Sequence, residues 1–326
     1  MQDPISIPAC FSAGEKPTDD LATVTKSGQS VYISVYKTKI ADQSRSITIT
    51  WCKNLLLHGL SVSLQGPNGE PHHNTCKIEL KPWCFWRKQG SKRFTLDGKQ
   101  VVEIFWDLKS AKFNGETEPC SEYYVAVVCD EEVVLLIGDM KKDAYRKTGC
   151  RPALIDPIMV SRREHVFGKR TFSTRIRFHE KGRFYGISIE CKNVGGLSID
   201  NGGDPEMDIK IDGGVVIQVK HLQWKFRGNE YVYVNKVRVE VFWDVHDWLF
   251  SPGLRHALFI FKPILLSNCS PSSSISSPPF SSLASTPLSS QTGSSGSIGD
   301  GFNGSGSSSL SESSEFCLFL YAWKVE

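Results

Sequence analysis

Val234-Asn235-Lys236-Val237-Arg238-Val239-Glu240-Val241-Phe242-Trp243-Asp244-Val245 reads as a turn followed by a strand, and the chain contains it twice. The earlier copy is Leu96-Asp97-Gly98-Lys99-Gln100-Val101-Val102-Glu103-Ile104-Phe105-Trp106-Asp107-Leu108. Successive side chains of a strand point to opposite faces. Val102, Ile104 and Trp106 therefore share one face, as do Val239, Val241 and Trp243. Glu103, Phe105 and Asp107 share the other, with Glu240, Phe242 and Asp244 as counterparts. A slip of one residue would exchange the faces, and the two copies keep the same parity.

The correspondence extends backwards along the chain. Trp86 and Gly90 precede the first copy as Trp224 and Gly228 precede the second. Gly59-Leu-Ser-Val-Ser-Leu64 aligns with Gly186-Ile-Ser-Ile-Glu190, and Lys77-Ile-Glu-Leu80 with Asp208-Ile-Lys-Ile211. Agreement in order, with small insertions at turns, is the signature of an internal repeat. Other segments alternate apolar and polar residues: Val31–Tyr36, Ser46–Cys52, Thr171–Phe178 and Arg183–Cys191. Short strands are expected at Val215–Lys220, Leu222–Phe226, Tyr231–Val234 and His256–Phe261. Tyr123–Val128 and Val133–Ile137 are almost continuously apolar, as the arms of a hairpin covered on both faces. The one clear helical piece is Asp139–Lys147, with Asp139 as N-cap, cations in the last turn and Gly149 as its stop. Pro152 and Pro157 mark the crossing into the second half.

The expected fold is all-β and mainly antiparallel. Two tandem related sandwich- or barrel-like units, 28–150 and 151–266, carry one short helix between them, behind a flexible N-terminal tail at 1–27. After Leu266 the composition shifts, and 22 of the 48 residues from Ser267 to Ser314 are serine. Such a segment buries too little apolar area to offset its ordering entropy, so a disordered loop is expected over 267–314. Its Ser277-Pro278 and Thr286-Pro287 fit proline-directed phosphorylation, and a neutral spacer is the equal alternative. The chain then ends in Phe316-Cys-Leu-Phe-Leu-Tyr-Ala-Trp-Lys-Val-Glu326. An exposed apolar stretch of that kind aggregates, so 315–326 is expected to return to the body as a strand.

The chain has 326 residues, 40% apolar and 11% aromatic, with net charge +3. That mild charge argues against a nucleic-acid partner. Its ten cysteines contain no C-x-x-C pair, which argues against structural zinc. Met1–Phe11 has no basic n-region or apolar h-region, and no apolar run reaches membrane-spanning length. A reducing compartment, cytoplasm or nucleus, is the expectation.

Several blocks resemble a plant family of uncharacterised proteins, domain of unknown function 868. They are Cys76-Lys-Ile-Glu-Leu-Lys-Pro-Trp83, Phe85-Trp-Arg-Lys-Gln-Gly-Ser-Lys-Arg-Phe94, Tyr124-Val-Ala-Val-Val128, Ser161-Arg-Arg-Glu-His-Val-Phe-Gly-Lys-Arg170, Val219-Lys-His-Leu-Gln-Trp-Lys-Phe-Arg-Gly-Asn-Glu230, Val241-Phe-Trp-Asp-Val-His-Asp-Trp-Leu-Phe250 and Leu320-Tyr-Ala-Trp-Lys-Val-Glu326. The resemblance covers about 29–261 and the last eleven residues. It implies a land-plant protein and transfers no catalytic or ligand residues.

Two groups of residues are candidates for function. Asp244 and His246, two apart on an extended strand, would face the same side, with Asp247 beside them. A carboxylate next to an imidazole suits acid–base work or a metal. The competing reading is that Asp244 accepts a turn N–H while His246 and Asp247 shape the strand exit. The first copy favours this second reading, since Lys109 and Ser110 replace His246 and Asp247. The other group is basic residues interleaved with aromatics: Arg87, Lys88, Lys92 and Arg93, then Lys225 and Arg227. A third basic cluster, Arg162, Arg163, Lys169 and Arg170, reads as a turn. The glycine-rich stretches lack the strand–turn–helix setting of a phosphate loop. The leading expectation is a non-enzymatic binding or scaffold module with no cofactor, whose partner is a protein or an acidic ligand. Its rivals are a lipid or acidic-ligand binder in peripheral contact with membranes through those basic hairpins, and an enzyme centred on Asp244 and His246.

Overall fold

The computed structural model describes residues 30–40, 43–54, 57–65, 75–80, 88–96, 100–178, 182–192, 204–252, 255–264 and 316–325. The tail expected at 1–27 and the serine-rich loop expected at 267–314 lie outside the described residues.

The first half supplies β1 (Ser30–Ile40), β2 (Gln43–Lys53), β3 (His58–Gln65), β4 (Thr75–Leu80), β5 (Gln89–Leu96), β6 (Gln100–Asp107), β7 (Tyr124–Cys129) and β8 (Glu132–Gly138). Helix α1 (Lys141–Thr148) and the two-residue β9 (Arg151–Pro152) follow. The second half supplies β10 (Ile158–Gly168), β11 (Thr171–Ile176), β12 (Tyr185–Lys192), β13 (Glu206–Ile211), β14 (Gly214–Val219), β15 (Arg227–Val234), β16 (Val237–Asp244), helix α2 (His246–Phe250), β17 (Arg255–Ile264) and β18 (Cys317–Lys324).

Among the described residues the strands form three sheets. One has five strands in order β5-β6-β7-β8-β9, one has four in order β11-β12-β13-β14, and one has nine in order β15-β16-β17-β18-β10-β1-β2-β3-β4. Pairing is antiparallel except for β10 with β18 and β8 with β9. The β1–β4 region faces the five-stranded sheet, where Thr38 Oγ1 donates to the Val134 carbonyl at 3.1 Å and Trp51 meets Tyr123 edge-on. The β15–β18 region faces the four-stranded sheet, where Phe172 stacks on Trp248 and the Trp248 indole donates to the Ala322 carbonyl at 2.9 Å. One hydrophobic core runs through both layers and both halves. The boundary drawn at 150/151 therefore falls inside a single compact unit, because β10 pairs with β1 and β18 joins β10 to β17.

The two Trp-Asp strands are built alike. Val102 and Ile104 are fully buried, as are Val239 and Val241. Gly90 lies opposite Trp106 and Gly228 opposite Trp243. A Cβ on Gly90 would fall 2.8 Å from the Trp106 ring, and one on Gly228 2.3 Å from Trp243. Each glycine is thus the space in which the opposing indole lies down. At the strand exits, Asp107 Oδ1 accepts the Lys109 amide and Asp244 Oδ1 accepts the His246 amide, both at 3.1 Å. The hairpin turns Asp130-Glu131, Asp212-Gly213 and Asn235-Lys236 have positive φ at both positions, which matches the twist of the flanking strands.

Two local expectations need correction. The helix begins at Lys141 with Met140 in the cap position, because Asp139 is engaged elsewhere: its Oδ1 accepts the Tyr123 amide at 3.1 Å. Gly149 does end the helix, in the left-handed conformation that its missing Cβ permits. Leu222–Phe226 is a loop rather than a strand, since the Trp224 and Lys225 amides both turn back to the His221 carbonyl. No helix among the described residues is long and apolar enough to cross a membrane.

Strand β18 is central. Leu318, Leu320 and Ala322 are fully buried. On the opposite face of the sheet, Tyr321 stacks on His165 at 4.6 Å, and Trp323 stacks on Phe167 and meets His256. Removing residues 315–326 should leave β17 and β10 with unpaired edges and open the core. The shortened protein is expected to be insoluble or to melt at least 10 °C lower by calorimetry, on the order of what the loss of several core side chains produces. His165 yields a pH prediction. Burial first, then the charges of His256 and Arg163, lower its pKa to about 4. Its Nδ1 accepts the Trp323 indole N–H at 3.1 Å, a bond that needs the neutral ring. Between pH 6.5 and about 4 the unfolded chain binds the proton before the folded one, so stability falls as pH drops through that window, by about 3 kcal/mol in all. His165→Asn should flatten this slope in urea unfolding followed across the window, and an unchanged slope would contradict the assignment.

Candidate ligand pocket

A pocket of about 380 Å³ opens where β1, β10, β11 and the end of β8 converge. Four backbone features shape it. Alternation in β1 sends Tyr32 and Tyr36 inward, and the same alternation in β10 sends Arg162 and Glu164 inward. Gly138 (φ +100°) passes so close to Tyr123 that a Cβ there would sit 2.1 Å from the Tyr123 carbonyl oxygen. The loop between β6 and β7 is pinned by Lys112 N–Ser121 O at 3.0 Å, Cys120 N–Lys112 O at 2.7 Å and Glu116 N–Phe113 O at 2.8 Å. Phe113 in turn packs edge-on against Trp51. This loop places Glu116, Glu118 and Cys120 at the pocket wall.

The floor is a buried ionic cluster. Arg162 grips Glu118 with two hydrogen bonds, at 3.1 and 2.9 Å, and its Nε donates to Glu164. Glu164 is completely buried and also accepts from the Thr174 hydroxyl. The Arg162 guanidinium lies over the Tyr32 ring at 5.2 Å. Burial pushes the Glu164 carboxyl up, opposed by the Arg162 charge. Burial alone would lower Arg162, but Glu118 and Glu164 together outweigh it and hold the guanidinium above the ordinary arginine value. Burial, with nearby carboxylates, pushes the Tyr32 and Tyr123 phenols above their usual range, so both remain neutral donors. The Cys120 thiol is also raised, first by burial and then by Glu116, which leaves it protonated and a weak nucleophile. Arg162, expected in an exposed basic turn, is therefore a buried strand residue whose charge two carboxylates neutralise.

The rim differs. Arg175 and Arg177 come from the end of β11, and both guanidinium groups lie over the Phe184 ring, at 5.4 and 4.0 Å. Among the described residues neither makes an ion pair with a carboxylate. The arrangement offers two cations on an aromatic platform, phenol donors, and apolar walls from Ile137 and Met159. It can hold an anion joined to an apolar or aromatic body.

The residues singled out from sequence lie elsewhere. Asp244 ends β16 and His246 begins α2, so the two do not share a strand face. The strand stops because Asp244 accepts the His246 amide and turns the chain into a helix. Asp244 also pairs with Arg227 at 2.8 Å. Asp247 accepts from Ser251 Oγ and contacts His246 Nδ1, both at 3.1 Å; this His246 contact, foremost, holds its carboxyl below the usual range. His246 packs against both the Phe226 and Phe250 rings. No group of three or more metal-type ligands occurs among the described residues. Arg87 lies outside the described residues. Lys88, Lys92 and Arg93 lie at or on β5, where Arg93 pairs with Glu103 at 2.9 Å. Lys225 and Arg227 lie at the start of β15, an edge of the nine-stranded sheet. None of these lines the pocket. Arg175, Arg177 and Phe184 were missed, although the alternation Phe172-x-Thr174-x-Ile176 already sends Arg175 and Arg177 to the opposite face.

A family model described as plant protein of unknown function (DUF868) matches residues 27–324. No curated protein and no solved structure matches the chain.

The ionic floor is open to test. Arg162→Met strands Glu164 and Glu118 without their cation and should cost about 3–5 kcal/mol. Adding Glu164→Gln to it should recover part of that loss, a non-additivity read by urea unfolding of both single variants and the double.

Proposed function

The chain belongs to the DUF868 family of plant proteins of unknown function, and we propose that it serves as a non-enzymatic binding module for a small anionic molecule with an apolar or aromatic part. The observation that carries this reading is the pair Arg175 and Arg177, stacked on Phe184 at the mouth of a pocket and lacking a carboxylate partner among the described residues. A guanidinium presents several N–H donors in a rigid fork suited to carboxylate or phosphate oxygens. The size falls within the range of small-molecule sites. Of the other pocket charges, Arg162 is matched with Glu118 and Glu164 and Asp139 with backbone amides, while Glu116 adds a carboxylate to the wall.

Binding is favoured over catalysis because four of the titratable groups around the pocket are held in inert forms. Cys120 is a protonated thiol, Tyr32 and Tyr123 are protonated phenols, and Glu118 is tied to Arg162. An enzyme centred on Asp244 and His246 loses its motivation once Asp244 is occupied by Arg227 and a backbone amide. The seven described cysteines are thiols, which suits a reducing compartment, cytoplasm or nucleus.

A thermal-shift panel of aromatic carboxylates and aromatic phosphate monoesters tests the reading. At least one class should raise the melting temperature in a concentration-dependent way. Arg175→Ala/Arg177→Ala should leave the unliganded melting temperature nearly unchanged, since both side chains are exposed, and should weaken binding about tenfold or more. A shift that survives in the double variant, or no shift with either class, would sink the proposal.

A further inference from the structure

Trp224 is 84% exposed, although tryptophan is among the most buried residue types on average. The loop that displays it is fixed at both ends. Leu222 is fully buried and its amide donates to the Pro205 carbonyl at 2.9 Å. The Trp224 and Lys225 amides donate to the His221 carbonyl at 2.9 and 3.1 Å. The Lys225 carbonyl accepts the Trp243 indole at 3.1 Å. The indole is thus held outward on a structured turn and is not part of a frayed end. Phe250, 52% exposed, packs edge-on against Phe226 close by in sequence to Trp224 and adds a second apolar ring.

The charges around this turn are sorted. Asp204 pairs with His221, Asp244 with Arg227, and Asp247 with His246. Lys220 and Lys225 are exposed and have no carboxylate partner among the described residues. The result is a protruding indole between two unneutralised cations.

We propose that the 220–226 turn, with Phe250, is a docking surface for an anionic lipid bilayer. The rings enter the boundary between headgroups and acyl chains, and Lys220 and Lys225 stay at the level of the lipid phosphates. A bilayer interface deforms around a projecting ring and offers water to the indole N–H, which is where tryptophan concentrates in membrane proteins. Lysines satisfy an anionic surface while their stems lie along its apolar edge. A protein partner would instead have to supply a pocket matched to the ring. Two rings and two cations make a weak, reversible, salt-sensitive contact. The proposal does not depend on the pocket or its ligand.

Co-sedimentation of the full chain with vesicles tests it. Vesicles of phosphatidylcholine with about a third phosphatidylserine should bind the protein, and pure phosphatidylcholine should bind it far less. Trp224→Ala should lower the partition coefficient about tenfold with an unchanged melting temperature, since the side chain is exposed. Lys220→Gln/Lys225→Gln should remove most of the salt dependence and leave the fold intact. Failure of the full chain to bind anionic vesicles would overturn the proposal. So would equal binding by Trp224→Ala, or a Trp224-dependent protein complex formed by a chain that ignores vesicles.

Discussion

The structure depends on one pairing, that of β18 with strands on both of its sides. β18 runs antiparallel to β17 and parallel to β10, and β10 runs antiparallel to β1. Without β18 the nine-stranded sheet would fall into two separate pieces, β15–β17 and β10-β1-β2-β3-β4. The pairing also fixes the inner face, because Leu318, Leu320 and Ala322 are fully enclosed between Val166 of β10 and Phe259 and Phe261 of β17. A buried backbone edge is costly when its N–H and C=O groups lack partners, so the last strand satisfies hydrogen bonds on both neighbours as well as filling the core.

The second constraint is the Gly–Trp–Asp arrangement, which occurs at β5/β6 and again at β15/β16. Glycine makes room for the indole, the indole covers the gap in the neighbouring strand, and the aspartate closes the exit turn. Each element needs the others. A side chain larger than hydrogen at Gly90 or Gly228 would displace the ring, and without the ring the glycine would weaken the strand. The shared Gly90 and Gly228 and the shared Glu-x-Phe-Trp-Asp therefore serve architecture. The additions in the second copy, His246 and Asp247, shape a short helix where the first copy has none.

Much of this fold was legible because it obeys period two. The burial of Ile47, Ile49, Trp51, Leu60, Val62 and Leu64 follows their alternation, and the continuous apolar arms of β7 and β8 match cover on both faces, with Ala144 of α1 closing the outer one. The closing aromatic strand was legible from the cost of leaving it exposed. β10 was not. Its Ser161-Arg-Arg-Glu-His165 reads as a polar turn, because an alternation of charged residues looks the same whether it faces water or a buried counterion. The partner that makes Arg162 an interior residue, Glu118, sits 44 positions away, and no local pattern encodes that distance. The shared strand face expected for Asp244 and His246 is absent for a related reason, since periodicity marks where a strand runs but not the residue at which an aspartate turns it into a helix; the competing reading, in which Asp244 accepts a turn N–H, matches its bond to the His246 amide.

The pocket was hidden for the same physical reason as β10. Its walls come from β1, β8, β10, β11 and a loop, so it exists only once the two halves share a sheet. Its chemistry follows from how charge is divided across it. At the floor, one guanidinium faces two carboxylates, one of which also accepts from the Thr174 hydroxyl. At the rim, two guanidinium groups rest on an aromatic ring, a contact that leaves their in-plane N–H donors unspent. A buried ionic cluster beneath a cationic rim gives the site its polarity, and under the proposed function an anion would meet guanidinium donors at the mouth. The ligand's apolar part would then point inward, toward Tyr123, Ile137 and Met159.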